Sequence, residues 1–382
     1  MKILYWTPFF LPDVGGIEVL AAKALPKLQQ RNYDLVVVTS HGKYDLADET
    51  EYNGIPVYRF HTRTAVGKGN LGQLIRIRQK VAKLKKSFEP DLVHINLSDP
   101  SAYFHLSTTT AYPALTLLTL HQNLAYFGLK GSLDTLLGQM LSMADWVTAV
   151  SAVTLSGIQA FMPEIRERSS VIYNGLDTPD LLPEPLPFDA PRILCVGRLL
   201  HQKGFDLAIT AFASLLDRFP RARLTIVGDG PKRSDLEQQA AALDLAEAVE
   251  FKGRISPEHV PELMNTATVV VMPSRSEGFP MVALEAAQMA RPIVATPVGG
   301  LPESVVHQQT GLLVEPEDSL ALAEAIAFLL SHPDTARRMG QAGRSRALDI
   351  FSMERFVDAY DALYRKLIQE ATPAQASREK QG

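Results

Sequence analysis

Two glutamates, Glu277 and Glu285, stand in the stretch Ser274-Arg275-Ser276-Glu277-Gly278-Phe279-Pro280-Met281-Val282-Ala283-Leu284-Glu285-Ala286. A carboxylate is a double acceptor and suits the vicinal hydroxyls of a sugar or a ribose, so two at this spacing can hold two sugars at once. The stretch follows an apolar run ending near Met272 and opens an alanine-rich helical pattern that reaches about Met289. Pro280 fits the first helical turn, where its missing N–H costs nothing. The backbone N–H groups there, with the helix dipole, make an edge that accepts anions and hydroxyls. Taken alone, the pair reads equally well as a helix cap and a surface carboxylate.

A second stretch, Val196-Gly197-Arg198-Leu199-Leu200-His201-Gln202-Lys203-Gly204-Phe205, again runs from an apolar strand pattern into a glycine-punctuated turn and a helix. Arg198 by bidentate contact and Lys203 as a point charge suit a diphosphate. Two solvated cations are the plainer reading, but a helix start repels them. A third stretch, Pro12-Asp13-Val14-Gly15-Gly16-Ile17-Glu18, follows the first strand pattern. Its paired glycines permit close backbone approach to a phosphate or sugar and are also ordinary turn residues. Neither it nor Val227-Gly228-Asp229-Gly230-Pro231 matches the phosphate-cradling Gly-x-x-x-x-Gly-Lys-Ser/Thr pattern, and no complete Gly-x-Gly-x-x-Gly follows the first strand, which counts against ATPases and dinucleotide enzymes. His94 and His121 each end an apparent strand; a satisfied structural role is the common fate of such residues.

These residues must be positioned by the elements between them. Short β-branched runs, Ile3 to Trp6, Leu35 to Thr39, Val57 to Phe60, Leu92 to Ile95, Leu115 to Leu120 and Trp146 to Val150, alternate with amphipathic stretches. With no hairpin signal between them, they predict a parallel sheet wound on both faces. The proline-rich segment from Thr178 to Pro187 reads as a linker. Beyond it the pattern restarts at Arg192 to Val196, Leu224 to Val227, Val249 to Phe251, Val269 to Met272, Ile293 to Ala295 and Leu312 to Val314. Two doubly wound domains are expected, 1–180 and 188–350, facing one another across a cleft where loops after the strands collect ligands. A last helical pattern at 351–370 carries apolar Phe356, Tyr360, Leu363 and Leu367, expected to pack back onto the first domain. The polar tail from Ala371 is expected to fray.

The bulk properties agree with this and exclude other classes. A chain of 382 residues, 46% hydrophobic and 21% charged, has material for two cores. A net charge of −4 gives no reason to expect nucleic acid. The one cysteine, Cys195, lies in an apolar run and reads as an inert buried thiol. No signal-peptide pattern and no membrane-spanning run is found, so a cytoplasmic protein is expected. The segment 68–88 places Leu71, Leu74, Ile77, Val81, Leu84 and Phe88 on one helical face, with Arg76, Arg78, Lys80, Lys83, Lys85 and Lys86 elsewhere. A core-facing helix with a solvated cationic side is the first reading, and peripheral contact with an anionic membrane the second.

In this order along the chain, the Gly15-Gly16 loop, Asp91-Leu92-Val93-His94, Thr119-Leu120-His121, Ala149-Val150-Ser151, Asn174-Gly175-Leu176-Asp177, Gly197-Arg198 with Lys203-Gly204, Val227 to Pro231, the Glu-x7-Glu pair, Gly299-Gly300-Leu301-Pro302-Glu303 and Thr310 to Val314 closely resemble retaining glycosyltransferase family 4. The resemblance spans nearly the whole chain and implies the GT-B fold of two Rossmann-like domains, the first for the acceptor and the second for the nucleotide sugar. It implies that Glu285 holds the donor ribose and that Glu277, with the amides of Gly278, Phe279, Pro280 and Met281, holds the transferred sugar. Arg198 and Lys203 would bind the diphosphate, Gly15 and Gly16 approach it, Arg254 and Ile255 face the base, and His121 sit beside the sugar.

The expected reaction is hexosyl transfer with retention, from a UDP-sugar first and a GDP-sugar second, to an acceptor that the sequence does not name. The loops around Lys43 to Glu51, Thr62 to Asn70 and Asn123 to Lys130 carry no readable acceptor motif. No cofactor is expected, and with no Asp-x-Asp motif and a basic pair to do a metal's electrostatic work, neither is a metal. An epimerase, a phosphorylase or a silent sugar-nucleotide binder are the alternatives.

Overall fold

The β-branched runs become strands because helices crossing over them bury both faces, the arrangement typical of parallel sheets. The computed structural model describes all residues except 14, 68, 98–100, 123–134 and 380–382, and the side chains of all of these except 97 and 372–379. Val14, Lys68, the loop at 123–130 and the end of the tail therefore lie outside the described residues. The chain divides into two units, Met1–Gly175 with Met353–Gly382, and Leu176–Ser352.

The first unit contains β1 (Lys2–Trp6), β2 (Asp34–Ser40), β3 (Glu49–Tyr52), β4 (Ile55–Phe60), β5 (Leu92–Leu97), β6 (Leu115–Leu120), β7 (Trp146–Ala149) and β8 (Ser169–Val171). Its helices are α1 (Gly16–Gln29), α2 (Thr62–Gly67), α3 (Leu71–Phe88), α4 (Ala102–Leu106), α5 (Leu136–Met143) and α6 (Ala152–Phe161). The strands lie in the order β3-β4-β2-β1-β5-β6-β7-β8. One pair departs from the expected pattern: β3 runs antiparallel to β4. Asn53 and Gly54 join them with φ of 51° and 78°, the two positive φ angles of a tight hairpin that an Asn-Gly pair favours. That signal stands in the sequence, contrary to the expectation of none, and it builds the sheet's edge.

Helix α3 buries Ile77, Val81 and Leu84, as a core-facing helix does. Two residues depart from the expected faces. Leu71 is 72% exposed, and Lys85 is 1% exposed with its Nζ donating to the His105 carbonyl at 3.3 Å. Burial pulls the Lys85 ammonium down to about 7.

The chain returns to the first unit as α14 (Met353–Glu379), which extends past the expected end at 370. Phe356, Tyr360, Leu363 and Leu367 are all buried. The seam is polar as well as apolar: Tyr364 Oη meets His94 Nδ1 at 2.6 Å, and Tyr360 Oη meets Thr119 Oγ1 at 3.1 Å. At the rim Tyr33 donates to Asp361 at 2.6 Å, and Arg31 pairs with Glu354 and Asp358 at 2.7 and 2.6 Å.

The second unit contains β9 (Arg192–Val196), β10 (Arg223–Val227), β11 (Val249–Gly253), β12 (Val269–Met272), β13 (Ile293–Ala295) and β14 (Gly311–Leu313), all parallel. Helices α7 (Phe205–Ala213), α8 (Arg233–Ala242), α9 (Val260–Asn265), α10 (Met281–Gln288), α11 (Leu301–Ser304), α12 (Ser319–Ser331) and α13 (Pro333–Ile350) complete it. The order β11-β10-β9-β12-β13-β14 is the 3-2-1-4-5-6 order of a doubly wound nucleotide-binding sheet. Its switch point falls between β9 and β12, the strands that lead into the two charged stretches. The proline-rich segment is fastened to this unit: Asn265 donates to the Leu182 carbonyl at 2.9 Å, and buried Arg291 donates to the carbonyl of Glu184. Among the described residues no helix is long and apolar enough to cross a membrane.

Candidate functional site

At the switch point of the second unit, the loops after β9 and β12 lock together. Gly204 ends the first loop at φ 66°, and a Cβ there would stand 1.9 Å from the Pro273 carbonyl oxygen of the second. Only glycine combines that conformation with that approach. Replacing Gly204 by alanine is therefore expected to destabilise the second unit by more than about 2 kcal/mol and to depress turnover with it. A circular-dichroism melt of Gly204→Ala that overlays the parent's would overturn this.

The contact brings two of the expected residues together. Lys203 Nζ lies 2.7 Å from Glu277 Oε1, and the same oxygen accepts a hydrogen bond from Ser274 Oγ at 2.7 Å. Glu277 is 9% exposed. Its Oε2 has no hydrogen-bond partner among the described residues, so one carboxylate oxygen is anchored and the other is open. The backbone under Glu277 is fixed by Gly299, whose φ is 55° and whose Cβ would stand 2.0 Å from the Glu277 carbonyl oxygen. Gly300 N donates to the Gly278 carbonyl at 2.7 Å.

A second clamp was not foreseen. Arg275 forks onto Asp206 through two bonds of 2.8 Å, and onto Glu317 through bonds of 2.6 and 2.9 Å. It also donates to the His201 carbonyl at 2.8 Å. Burial works to raise the Asp206 carboxyl, but the hydrogen bonds and charge of Arg275 outweigh it and hold the group below its usual range. Arg275 thus ties the Lys203 loop to the Glu277 loop. Its place beside Glu277 was visible in the sequence, whereas its partners at positions 206 and 317 were not.

Helix α10 begins at Met281, with Pro280 as the residue before its first turn. Proline has no N–H, so it adds no donor to the edge. The amides of Gly278 and Met281 make no hydrogen bond among the described residues and remain available. The Phe279 side chain is buried, its ring 5.3 Å from that of Phe351. Glu285 lies half-buried on α10, beyond its first turn. Arg198 is exposed at the end of β9, with no ion pair among the described residues. Arg254, beyond β11, is exposed with its Nε 3.7 Å from Asp229 Oδ2, and Ile255 is half-buried.

In the first unit Gly15 caps α1 in an extended conformation and Gly16 is its first residue. His121 follows β6 and is 7% exposed. Asn96 Nδ2 donates to the Trp6 carbonyl at 3.3 Å, which turns its amide oxygen towards His121 Nε2 at 2.8 Å. An amide oxygen only accepts, so Nε2 carries the proton and Nδ1, which has no partner among the described residues, is an acceptor. Burial lowers the His121 pKa to about 4, so the ring is neutral at neutral pH. His94 has both ring nitrogens engaged, by Tyr364 and by Thr119, and is structural.

Two α/β units on largely parallel sheets, the second with a charged site at its switch point, have the GT-B fold. Residues 183–346 match glycosyl transferases group 1, and residues 14–180 match glycosyltransferase family 4. The chain belongs to that family. A GDP-mannose-dependent alpha-(1-6)-phosphatidylinositol monomannoside mannosyltransferase of Mycobacterium tuberculosis is 29% identical, over 90% of this chain and 92% of its own. The fold matches sucrose-phosphate synthase from Thermosynechococcus elongatus, with a TM-score of 0.82 at 24% identity over 97% and 99% of the two chains. It also matches Anabaena HepE in complex with UDP, with a TM-score of 0.78 at 22% identity over 96% and 100%.

Proposed function

We propose that this enzyme transfers a hexose from a nucleoside diphosphate sugar to an acceptor hydroxyl, with retention of anomeric configuration and without a metal on the diphosphate. The observation that carries the reading is the Lys203–Glu277 pair at the switch point, with Glu277 Oε2 open. In the proposed reaction the donor's diphosphate draws Lys203 away from Glu277, and Ser274 keeps hold of the carboxylate. Both carboxylate functions then serve the donor, Glu277 taking hydroxyls of the sugar and Glu285 those of the ribose. The amides of Gly278 and Met281 point donors at the same sugar.

The bond from C1 to the phosphate oxygen breaks and the acceptor oxygen bonds C1 on the same face. The acceptor's proton passes to the leaving phosphate. Arg198 and Lys203 stabilise the negative charge that grows there, the work a divalent metal does in other transferases. Arg254 and Ile255 are assigned to the base. In the first unit, Gly15 and Gly16 are assigned to the diphosphate, and the acceptor nitrogen of neutral His121 to a sugar hydroxyl. UDP, named in the HepE complex, is the first base proposed, and GDP, named for the mannosyltransferase, the second.

A thermal-shift screen of nucleotide sugars tests this. The true donor at 100 times its dissociation constant is expected to stabilise the protein by about 2.7 kcal/mol. Glu285→Ala should lose most of that shift, and NMR of the product should show the donor's anomeric configuration. A full shift in Glu285→Ala, or an inverted product, would sink the assignment.

A further inference from the structure

At the carboxyl ends of the neighbouring parallel strands β2 and β4, a histidine follows each of the paired residues Ser40 and Phe60. The His41 amide donates to the Phe60 carbonyl at 3.0 Å, and the rings of His41 and His61 stack with centroids 4.0 Å apart. Asp48 joins them from the start of the β3 edge, where its carbonyl accepts from the Arg59 amide at 2.7 Å. Its Oδ1 lies 3.0 Å from His41 Nε2, and its Oδ2 accepts from Lys80 Nζ at 2.9 Å. One ligand atom from each of His41, Asp48 and His61 lies within 4.8 Å of the other two. None of the three has a part in the sugar transfer proposed above.

We propose that His41, His61 and Asp48 form a site for a divalent transition-metal ion of the zinc class, completed by a water molecule. Zinc takes imidazole nitrogen and carboxylate oxygen at about 2.0–2.2 Å in a tetrahedron, which sets ligand atoms about 3.4 Å apart. His41 and Asp48 already approach to within that separation. His61 is exposed and closes the rest by rotating its side chain. Two imidazoles with one carboxylate suit zinc rather than magnesium or calcium, which take oxygen ligands.

Binding also requires a charged carboxylate. An aspartate is charged at neutral pH without help. When the ion enters, His41 releases its Nε2 proton or moves it to Nδ1, and Asp48 Oδ1 exchanges that hydrogen bond for the metal. The ion pins the segment between β2 and β3 to the end of β4. Lys80 opposes it, a cation 2.9 Å from the ligand carboxylate.

The full-length, metal-free protein titrated with cobalt(II) and with zinc(II) tests the site. One ion per chain is expected, with the visible bands of four-coordinate cobalt. Zinc should raise the melting midpoint read by tryptophan fluorescence, because both tryptophans, Trp6 and Trp146, lie in the first unit. His61→Ala and Asp48→Asn should each weaken binding by at least about tenfold, while Lys80→Met should tighten it. Binding that is equal in the parent and His61→Ala, no cobalt bands, or weaker binding in Lys80→Met would each overturn the proposal. If Asp48→Asn fails to fold, His61→Ala decides, its side chain being exposed. These readouts do not involve sugar transfer, so their failure leaves the proposed function untouched.

Discussion

Replacing Lys203 by alanine is expected to cut kcat by about 10²–10³-fold while both units stay folded, the scale of loss when one pre-aimed donor to a developing negative charge is removed. In the proposed reaction the charge on the leaving diphosphate is larger in the transition state than in the bound donor. An interaction that strengthens as the bond breaks shows itself in kcat more than in KM. The structure adds a second consequence. Lys203 is the cation of Glu277, whose side chain is only 7% exposed, so the variant leaves that carboxylate to Ser274 alone. A stability loss of about 1–2 kcal/mol should accompany the kinetic one, limited because Lys203 itself is 21% exposed and water can replace it. Steady-state kinetics with circular-dichroism melts separate the two effects. Unchanged kcat in a folded Lys203→Ala protein would remove Lys203 from the chemistry.

How far the sequence discloses this site depends on the distance over which its partners act. Strands such as Leu115 to Leu120 and Val269 to Met272 are legible because burial on both faces demands a run of apolar residues, a purely local pattern. Strand β3, Glu-Thr-Glu-Tyr, is exposed along most of its length and has no such pattern. Only its Asn53-Gly54 turn announces it. The helix starts that Glu277 and Lys203 occupy are readable in the sequence, but the pairing of the two across 74 residues depends on β9 lying next to β12. The Arg275 clamp has the same origin, since Asp206 and Glu317 reach it only once the sheet order is set. Lys85 illustrates the reverse: helical period places it near the edge of the apolar stripe, where a lysine reads as solvated, and contact with α4 buries it.

Acidification from pH 7 towards 4.5 is expected to destabilise the first unit strongly through its buried histidines. His94, His105 and His121 are all buried there as neutral rings. Burial, reinforced by the neighbouring His121, lowers the His94 pKa from 6.5 to about 3; burial alone lowers that of His121 to about 4. Burial, with Lys85 nearby, lowers that of His105 well below its usual value. Below 6.5 the unfolded chain binds a proton at each of these positions and the folded chain does not, so stability falls as pH falls, until the folded pKa is reached. Each histidine contributes a slope of up to about 1.4 kcal/mol per pH unit. Two units below 6.5, His94 and His121 together remove about 5 kcal/mol, the lower end of a whole domain's stability. Urea unfolding between pH 7.5 and 4.5, followed by tryptophan fluorescence, reads this unit, since Trp6 and Trp146 both belong to it. His94→Gln offsets the whole curve by whatever packing it costs, but it should also lower the slope between pH 5 and 6 by close to one proton. If the two slopes superimpose, buried neutral His94 is not a source of the first unit's acid lability.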